Sequence, residues 1–160
     1  HYWFGKFLLH SEENVDEAVE QFRIAHDLDL DSTEVSLALA SGYLFQHEFD
    51  ETQKLLIQLS PNISTADDHL QKIYRDTEIQ VLYRRGDDFS KSGNFGEAMG
   101  CLEEMRAKFQ DLNEKHKDKH IRQNRTKCNY MLQRILNSPR GDLNARASEM
   151  CSWIESESIS

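Results

Sequence analysis

His116 and His120 stand four residues apart in the run His116-Lys117-Asp118-Lys119-His120. On a helix this spacing sets two imidazoles on one face, a metal-ligand arrangement. Zinc takes three or four protein ligands, and neither an HExxH pattern nor a nearby cysteine pair completes the set. A metal-dependent enzyme at these two histidines would therefore need ligands that the pattern does not supply. The same segment is basic through Lys115, Lys117, Lys119, Arg122, Arg125, Lys127 and Arg134, so an RNA or an acidic peptide is a conceivable ligand of residues 115–134. It reads as short of interleaved aromatics on which bases would stack, and the simpler reading is a solvated helix face. No glycine-rich phosphate loop, GxSxG elbow or paired-carboxylate motif occurs, and Asp87-Asp88 and Glu103-Glu104 fall on faces expected to be exposed. Neither catalysis nor a cofactor or metal is expected.

Cys101, Cys128 and Cys151 are odd in number and show no CxxC spacing, a pattern of free buried thiols in a reducing compartment. Two sequons, Asn62-Ile63-Ser64 and Asn124-Arg125-Thr126, and the tripeptide Arg140-Gly141-Asp142 are too short to outweigh it. Charge is uneven: residues 1–72 hold 4 basic and 14 acidic side chains, whereas residues 113–160 hold 9 basic and 6 acidic ones. Phosphate contacts need cations, so the acidic front half disfavours nucleic acid as a partner there. No apolar run of membrane-spanning length is present and no apolar leader precedes the first helix. A cytoplasmic location is the expectation. Because His1 already falls inside a repeating pattern, the chain reads as a piece of something longer.

The elements that must position these residues are helical. Pro is 2 and Gly 7 in 160 residues, and small and large apolar positions recur at helical spacing. Ala18 and Thr52 are 34 residues apart, and Thr52 and Ala98 are 46 apart, the same period plus an insertion of 12. Around them Gly5, Ala40 and Gly86 on one helix face Ala18, Thr52 and Ala98 on the next. Small residues there allow two helices to approach closely. Leu8, Tyr43 and Phe89, with Phe22, Leu56 and Leu102, fill the space one turn away. Turns fall at Glu13-Asn14, Gln46-His47 and Ser92-Gly93-Asn94, of which only the third supplies a glycine for a left-handed residue. Asp16, Asp50 and Asn94 are expected to cap the helices that follow.

Helical stripes also occur in generic bundles, which need no fixed repeat length. A 34-residue helix–turn–helix period is that of the tetratricopeptide array, and residues 1 to about 112 resemble tetratricopeptide repeats. Departures are the missing early Trp in the second and third repeats, Thr52 in place of alanine, and Pro61 three residues early. The resemblance implies an all-α fold, a right-handed solenoid of antiparallel helix pairs with about seven helices in a single domain spanning 1–160. Repeats would cover about 1–31, 32–62 and 78–112. A long helix over about 66–91, capped by Ser64 or Thr65, follows Pro61. A carboxy-terminal pair over 114–155 would close the stack, with Ser156 to Ser160 frayed.

Tetratricopeptide arrays line a concave groove with the first helix of each unit. Carried onto this chain, that register points to Tyr2, Lys6, Leu9 and His10, then Glu34, Leu37, Ser41, Leu44 and Phe45, then Gln80, Tyr83, Asp87, Ser90 and Lys91. Such a surface would bind a protein or peptide segment, as the scaffold or sensor part of a larger regulatory protein. Where family members that clamp a carboxy-terminal carboxylate carry Lys or Arg, this chain has Tyr83 and Asp87, so a carboxylate clamp is not expected. Leu37, Leu44 and Phe45 have a second reading, as packing between repeats.

Overall fold

A computed structural model describes the backbone of residues 14–110 and 114–159, with side chains at 14–110 and 124–156. Seven α-helices make up the described residues, with no strand among them: α1 Val15–Leu28, α2 Thr33–Phe45, α3 Phe49–Ile63, α4 Asp68–Lys91, α5 Phe95–Gln110, α6 Glu114–Leu136 and α7 Asn144–Ile159. A short 3₁₀ turn, Gly141–Leu143, precedes α7. The chain gathers into two compact units divided between Val81 and Leu82.

In the first unit α1 buries Ala18, Val19, Phe22 and Ala25, a single stripe. By contrast α2 buries Ser36, Leu37, Leu39, Ala40, Gly42 and Leu44 around most of its circumference, because it packs against both α1 and α3. A helix apolar all round has to be covered on both sides. Ala18, Val19, Phe22, Leu39, Ala40 and Leu55 form the core between the three helices, and each fully buried large side chain there is worth about 1.5–3 kcal/mol. The tightest approach falls at Gly42, where a Cβ would meet Val19 Cγ2 at 2.7 Å. Sequence periodicity had pointed to Ala40 as the small residue, and Ala40 is indeed fully buried, while Gly42 is the residue that faces α1 most closely.

Helix α3 runs through Pro61 to Ile63. Proline in the last turn removes only one donor near an end that is about to be satisfied by other groups. The hydroxyl of Thr65 donates to Asn62 O at 3.0 Å and closes that end. The cap of α4 is Asp67, whose Oδ1 accepts from Leu70 N at 2.9 Å, and not Ser64 or Thr65 as the sequence led us to expect. Tyr74 on α4 donates its hydroxyl to Leu56 O at 3.1 Å, a buried bond that ties α4 to α3.

In the second unit α5 buries Ala98, Met99, Leu102, Met105 and Phe109, and α6 buries Cys128, Met131, Leu132 and Ile135. Helix α7 adds Ala147, Met150 and Ile154. Trp153 packs edge-on against Phe109 at 5.2 Å between ring centroids, with the Arg106 guanidinium 5.3 Å above its ring. Arg146 pairs with Glu103 across the same junction. Helix α7 extends to Ile159, beyond the fraying point at Ser156 that its polar end suggested.

Two turns repeat each other atom for atom. After α2, Glu48 N donates to Tyr43 O at 2.9 Å and His47 takes φ +60°. Forty-six positions on, Asn94 N donates to Phe89 O at 2.8 Å and Gly93 takes φ +85°. Thr52 N and Ala98 N then bond to Glu48 O and Asn94 O at 3.1 and 3.0 Å. The 46-residue offset read from the sequence is thus present in the backbone, with histidine taking the left-handed position that glycine holds in the later turn. Asp16 and Asp50 lie in the first turns of α1 and α3, where they oppose the helix dipole. They do not cap: Asn14 and Glu48 occupy the cap positions without a side-chain bond, and Asp16 instead accepts from Gln46 Nε2 at 2.8 Å.

Candidate functional site

Tyr2, Lys6 and His10 of the expected groove lie outside the described residues. On α2, Glu34 is exposed, Ser41 is half-buried and Phe45 is 48% exposed, while Leu37 is buried at 1%. Leu37 therefore belongs to the core, as its second reading had it. Gln80, near the division of the chain, is half-buried.

In the second unit α6 covers or engages Tyr83, Asp87 and Ser90, while Lys91 stays exposed. Tyr83 is 5% exposed, the Lys127 ammonium stands 5.2 Å above its ring, and burial pushes its phenol up from the usual range. Asp87 accepts from Arg134 Nη1 at 2.8 Å and pairs with Lys91 Nζ at 2.9 Å. Burial pushes the Asp87 carboxyl up, but these two cations outweigh it and hold it below the ordinary carboxylate range. Arg134 Nη1 also donates to Ser90 Oγ at 2.9 Å. Tyr83, Asp87 and Ser90 are thus occupied by α6 side chains, and Lys91 joins them through Asp87. No local sequence signal announced this, because α6 contributes from more than 40 residues away.

The other motifs resolve simply. Arg140 closes on Asp142 through two bonds of 2.9 Å, so both ends of the Arg-Gly-Asp tripeptide are engaged with each other. Asn124 of the second sequon is buried, whereas Asn62 of the first is exposed. All three cysteines are free thiols. Burial pushes Cys128 up to about 12 and raises Cys101 and Cys151 as well, which leaves them protonated and weakly nucleophilic. Among the described residues no group of three His, Cys, Asp or Glu side chains is placed to hold a metal ion. The side chains of His116 and His120 lie outside the described residues. No helix among the described residues is long and apolar enough to cross a membrane.

What the first unit does present is a cleft of about 590 Å³. It is built from the end of α1 and the loop after it (His26, Leu30, Asp31), the start of α2 (Thr33, Ser36), the last turns of α3 (Leu55, Gln58, Leu59, Asn62) and the approach to α4 (Thr65, Ala66, Leu70). Its size is that of a small-ligand or peptide-side-chain pocket. The first turn of α2 stands there because Ser32 caps it, accepting from Val35 N at 3.3 Å. Four of the five large hydrophobic side chains that are exposed among the described residues belong to this unit: Leu28, Leu30, Phe45 and Ile57, at 76%, 67%, 48% and 72%. Leu28 and Leu30 sit in the alternating run Asp27-Leu28-Asp29-Leu30-Asp31, of which Leu30 and Asp31 line the cleft. This run was missed on the sequence, where its Asp-Leu alternation is the one signal that marks it: leucines alternating with aspartates cannot all face a helical core.

Compared with protein-family models, with curated proteins and with solved structures, the chain matches none of them.

Proposed function

We propose that this chain is a protein-interaction module, built from tetratricopeptide-like helix pairs stacked as a right-handed solenoid and serving as the scaffold or sensor part of a larger regulatory protein. Support for the repeat register comes from the equivalent turns at His47 and Gly93. The observation that carries the binding role is the cleft of the first unit with Leu30 exposed in its wall and Leu28 exposed two residues before it. Exposed leucines at a cleft mouth bury apolar area when a peptide docks, and isolated surface leucines without a cleft would not. Phe45, with Ser41 and Glu34, is the accessible part of the first-helix groove and offers a second contact on the same unit.

The test is capture of protein partners by the immobilised chain, compared across variants. Leu28→Ser with Leu30→Ser weakens capture by about 1–4 kcal/mol if these side chains anchor the partner, and Phe45→Ala weakens it if the groove contributes. Unchanged capture by both variants, with helical content intact, removes this reading.

A second reading keeps nucleic acid in view, because one observation favours it. Tyr130 is 62% exposed on α6 beside Arg125, Lys127 and Asn129, so this basic helix does carry an exposed ring, contrary to the reading of it as short of aromatics. Filter binding across a salt series separates the two readings, since phosphate contacts weaken steeply with salt. Charge reversal of Lys117, Lys119 and Arg122 to Glu abolishes such binding and leaves protein capture by the cleft in place.

A further inference from the structure

The lining of the cleft has a one-sided charge. Its residues come from stretches 26–36 and 55–70, and these stretches contain Asp27, Asp29, Asp31, Glu34, Asp67 and Asp68 but no Lys or Arg. Asp31 is itself part of the wall. Asp29 precedes the lining residue Leu30, and Asp67 and Asp68 stand between the lining residues Ala66 and Leu70. All five of these aspartates are exposed. Of the nearest cations in sequence, Arg23 pairs with Glu20 at 2.8 Å and Lys54 with Glu51 at 3.1 Å, while Lys72 follows the lining residue Leu70 by two positions; no ion pair among the described residues engages Asp27, Asp29, Asp31 or Asp68. Among the polar side chains of the lining stand the leucines Leu30, Leu55, Leu59 and Leu70.

Leucines set beside exposed aspartates select a ligand that is apolar at one point and cationic around it. Acidic segments and nucleic acid are repelled by the aspartates, and a purely cationic segment leaves Leu30 and Leu70 wet. We propose that the cleft of the first unit receives a cationic amphipathic segment of a protein partner, which sets an apolar side chain against Leu55, Leu59 and Leu70 and Lys or Arg side chains against Asp29, Asp31 and Asp68. This rests on the reading of the chain as a peptide-binding module and names the chemistry of its partner.

The experiment uses the full 160-residue chain and three fluorescent synthetic peptides of equal length, followed by anisotropy. One carries leucine at helical i, i+3 and i+4 spacing with lysine elsewhere, the second replaces every lysine with glutamate, and the third keeps the lysines but replaces every leucine with serine. The leucine–lysine peptide binds about tenfold or more tighter than either of the others, and its affinity falls with added salt. Asp29→Asn with Asp31→Asn, and separately Leu30→Ser, each weaken it by about fivefold or more. The pair Glu17→Gln with Glu48→Gln removes the same charge from exposed positions outside the cleft and leaves the affinity within about twofold. Equal loss from that control pair reduces the effect to net charge and overturns the proposal. Equal binding of the leucine–glutamate peptide also overturns it while leaving the peptide-binding reading intact. Binding that Phe45→Ala abolishes and Leu30→Ser spares moves the site to the α2 groove and overturns the cleft assignment alone. Absence of saturable binding by all three peptides overturns the proposal, and if partner capture is also insensitive to the Leu28 and Leu30 changes, the underlying reading falls with it.

Discussion

At the α2–α3 crossing a buried hydroxyl stands where the α4–α5 crossing has only a methyl group. Thr52 is fully buried, and its Oγ1 donates to Glu48 O at 3.0 Å and to Ala40 O at 3.3 Å, so the two helices are joined by a side-chain bond at their contact. Ala98, the equivalent residue, is also fully buried, but the opposing position is Gly86, where an added Cβ would meet Cys101 Cβ at 3.1 Å and Met131 Sδ at 3.5 Å. In the first unit the crossing holds an alanine and a threonine, both fully buried. In the second, α6 also reaches the crossing through Met131, and the space is met by the two smallest residues. The same register is thus satisfied by a polar bond in one place and by bare proximity in the other, which is why threonine in the alanine position is compatible with the repeat.

That comparison is most sharply broken by overfilling the tighter crossing. Ala98→Leu destabilises the second unit by about 1–3 kcal/mol, because the added methylenes enter a three-helix junction with no slack. Gly86→Leu acts likewise. An unchanged urea midpoint and helical circular dichroism would remove the assigned register. The turns come next. Gly93→Ala costs about 1–2 kcal/mol from its left-handed φ alone, since nothing lies within 4 Å of the new Cβ. His47→Gly gains less than about 1 kcal/mol in the first unit, because relief of backbone strain is offset by loss of the ring contact with Phe49 at 5.4 Å. Opposite signs in chemical denaturation support the equivalence of the turns, and equal signs refute it.

Thr52→Ala is expected to cost about 1 kcal/mol, the net worth of one buried hydrogen bond, since both carbonyl acceptors remain in helices. A loss no larger than that of a surface change such as Glu104→Gln shows that packing alone holds the first crossing. The smallest effect is one of pH and belongs to the second unit. Because the folded Asp87 carboxyl lies below its ordinary range, its contribution is fully present above the ordinary carboxylate pKa and is lost as pH falls through the lowered value. Asp87→Asn therefore lowers the neutral plateau and flattens the acid limb, so that variant and parent converge at low pH. An acid limb of unchanged steepness assigns acid sensitivity to other carboxylates.

The helices, their order and most of their ends were legible in the sequence because periodicity, caps and turn chemistry act over a few residues. The 46-residue offset between Thr52 and Ala98 located two turns whose hydrogen bonds coincide, and a long fourth helix followed from an unbroken apolar stripe before Lys91. The finer choices were less legible. Asp67 was overlooked as a cap beside Ser64 and Thr65, since all three can accept from a backbone amide and only the path of the chain selects among them.

Which surfaces stay free was a different matter, decided by tertiary structure. Tyr83 and Asp87 sit on the face that a repeat pattern assigns to a groove, yet Lys127 and Arg134 of α6 cover them. Leu37 is on the expected face of α2 and still buried. The cleft, in turn, is made by stretches 26–36 and 55–70, which no local period connects. Sequence by itself determined that the chain is helical, where its helices turn and that its front half is acidic, for these depend on neighbours along the chain and on composition. The tertiary structure decided which aromatic and charged residues are already partnered and where leucine and aspartate face open space, because exposure depends on the element that folds over a face, and that element arrives from far away in the sequence.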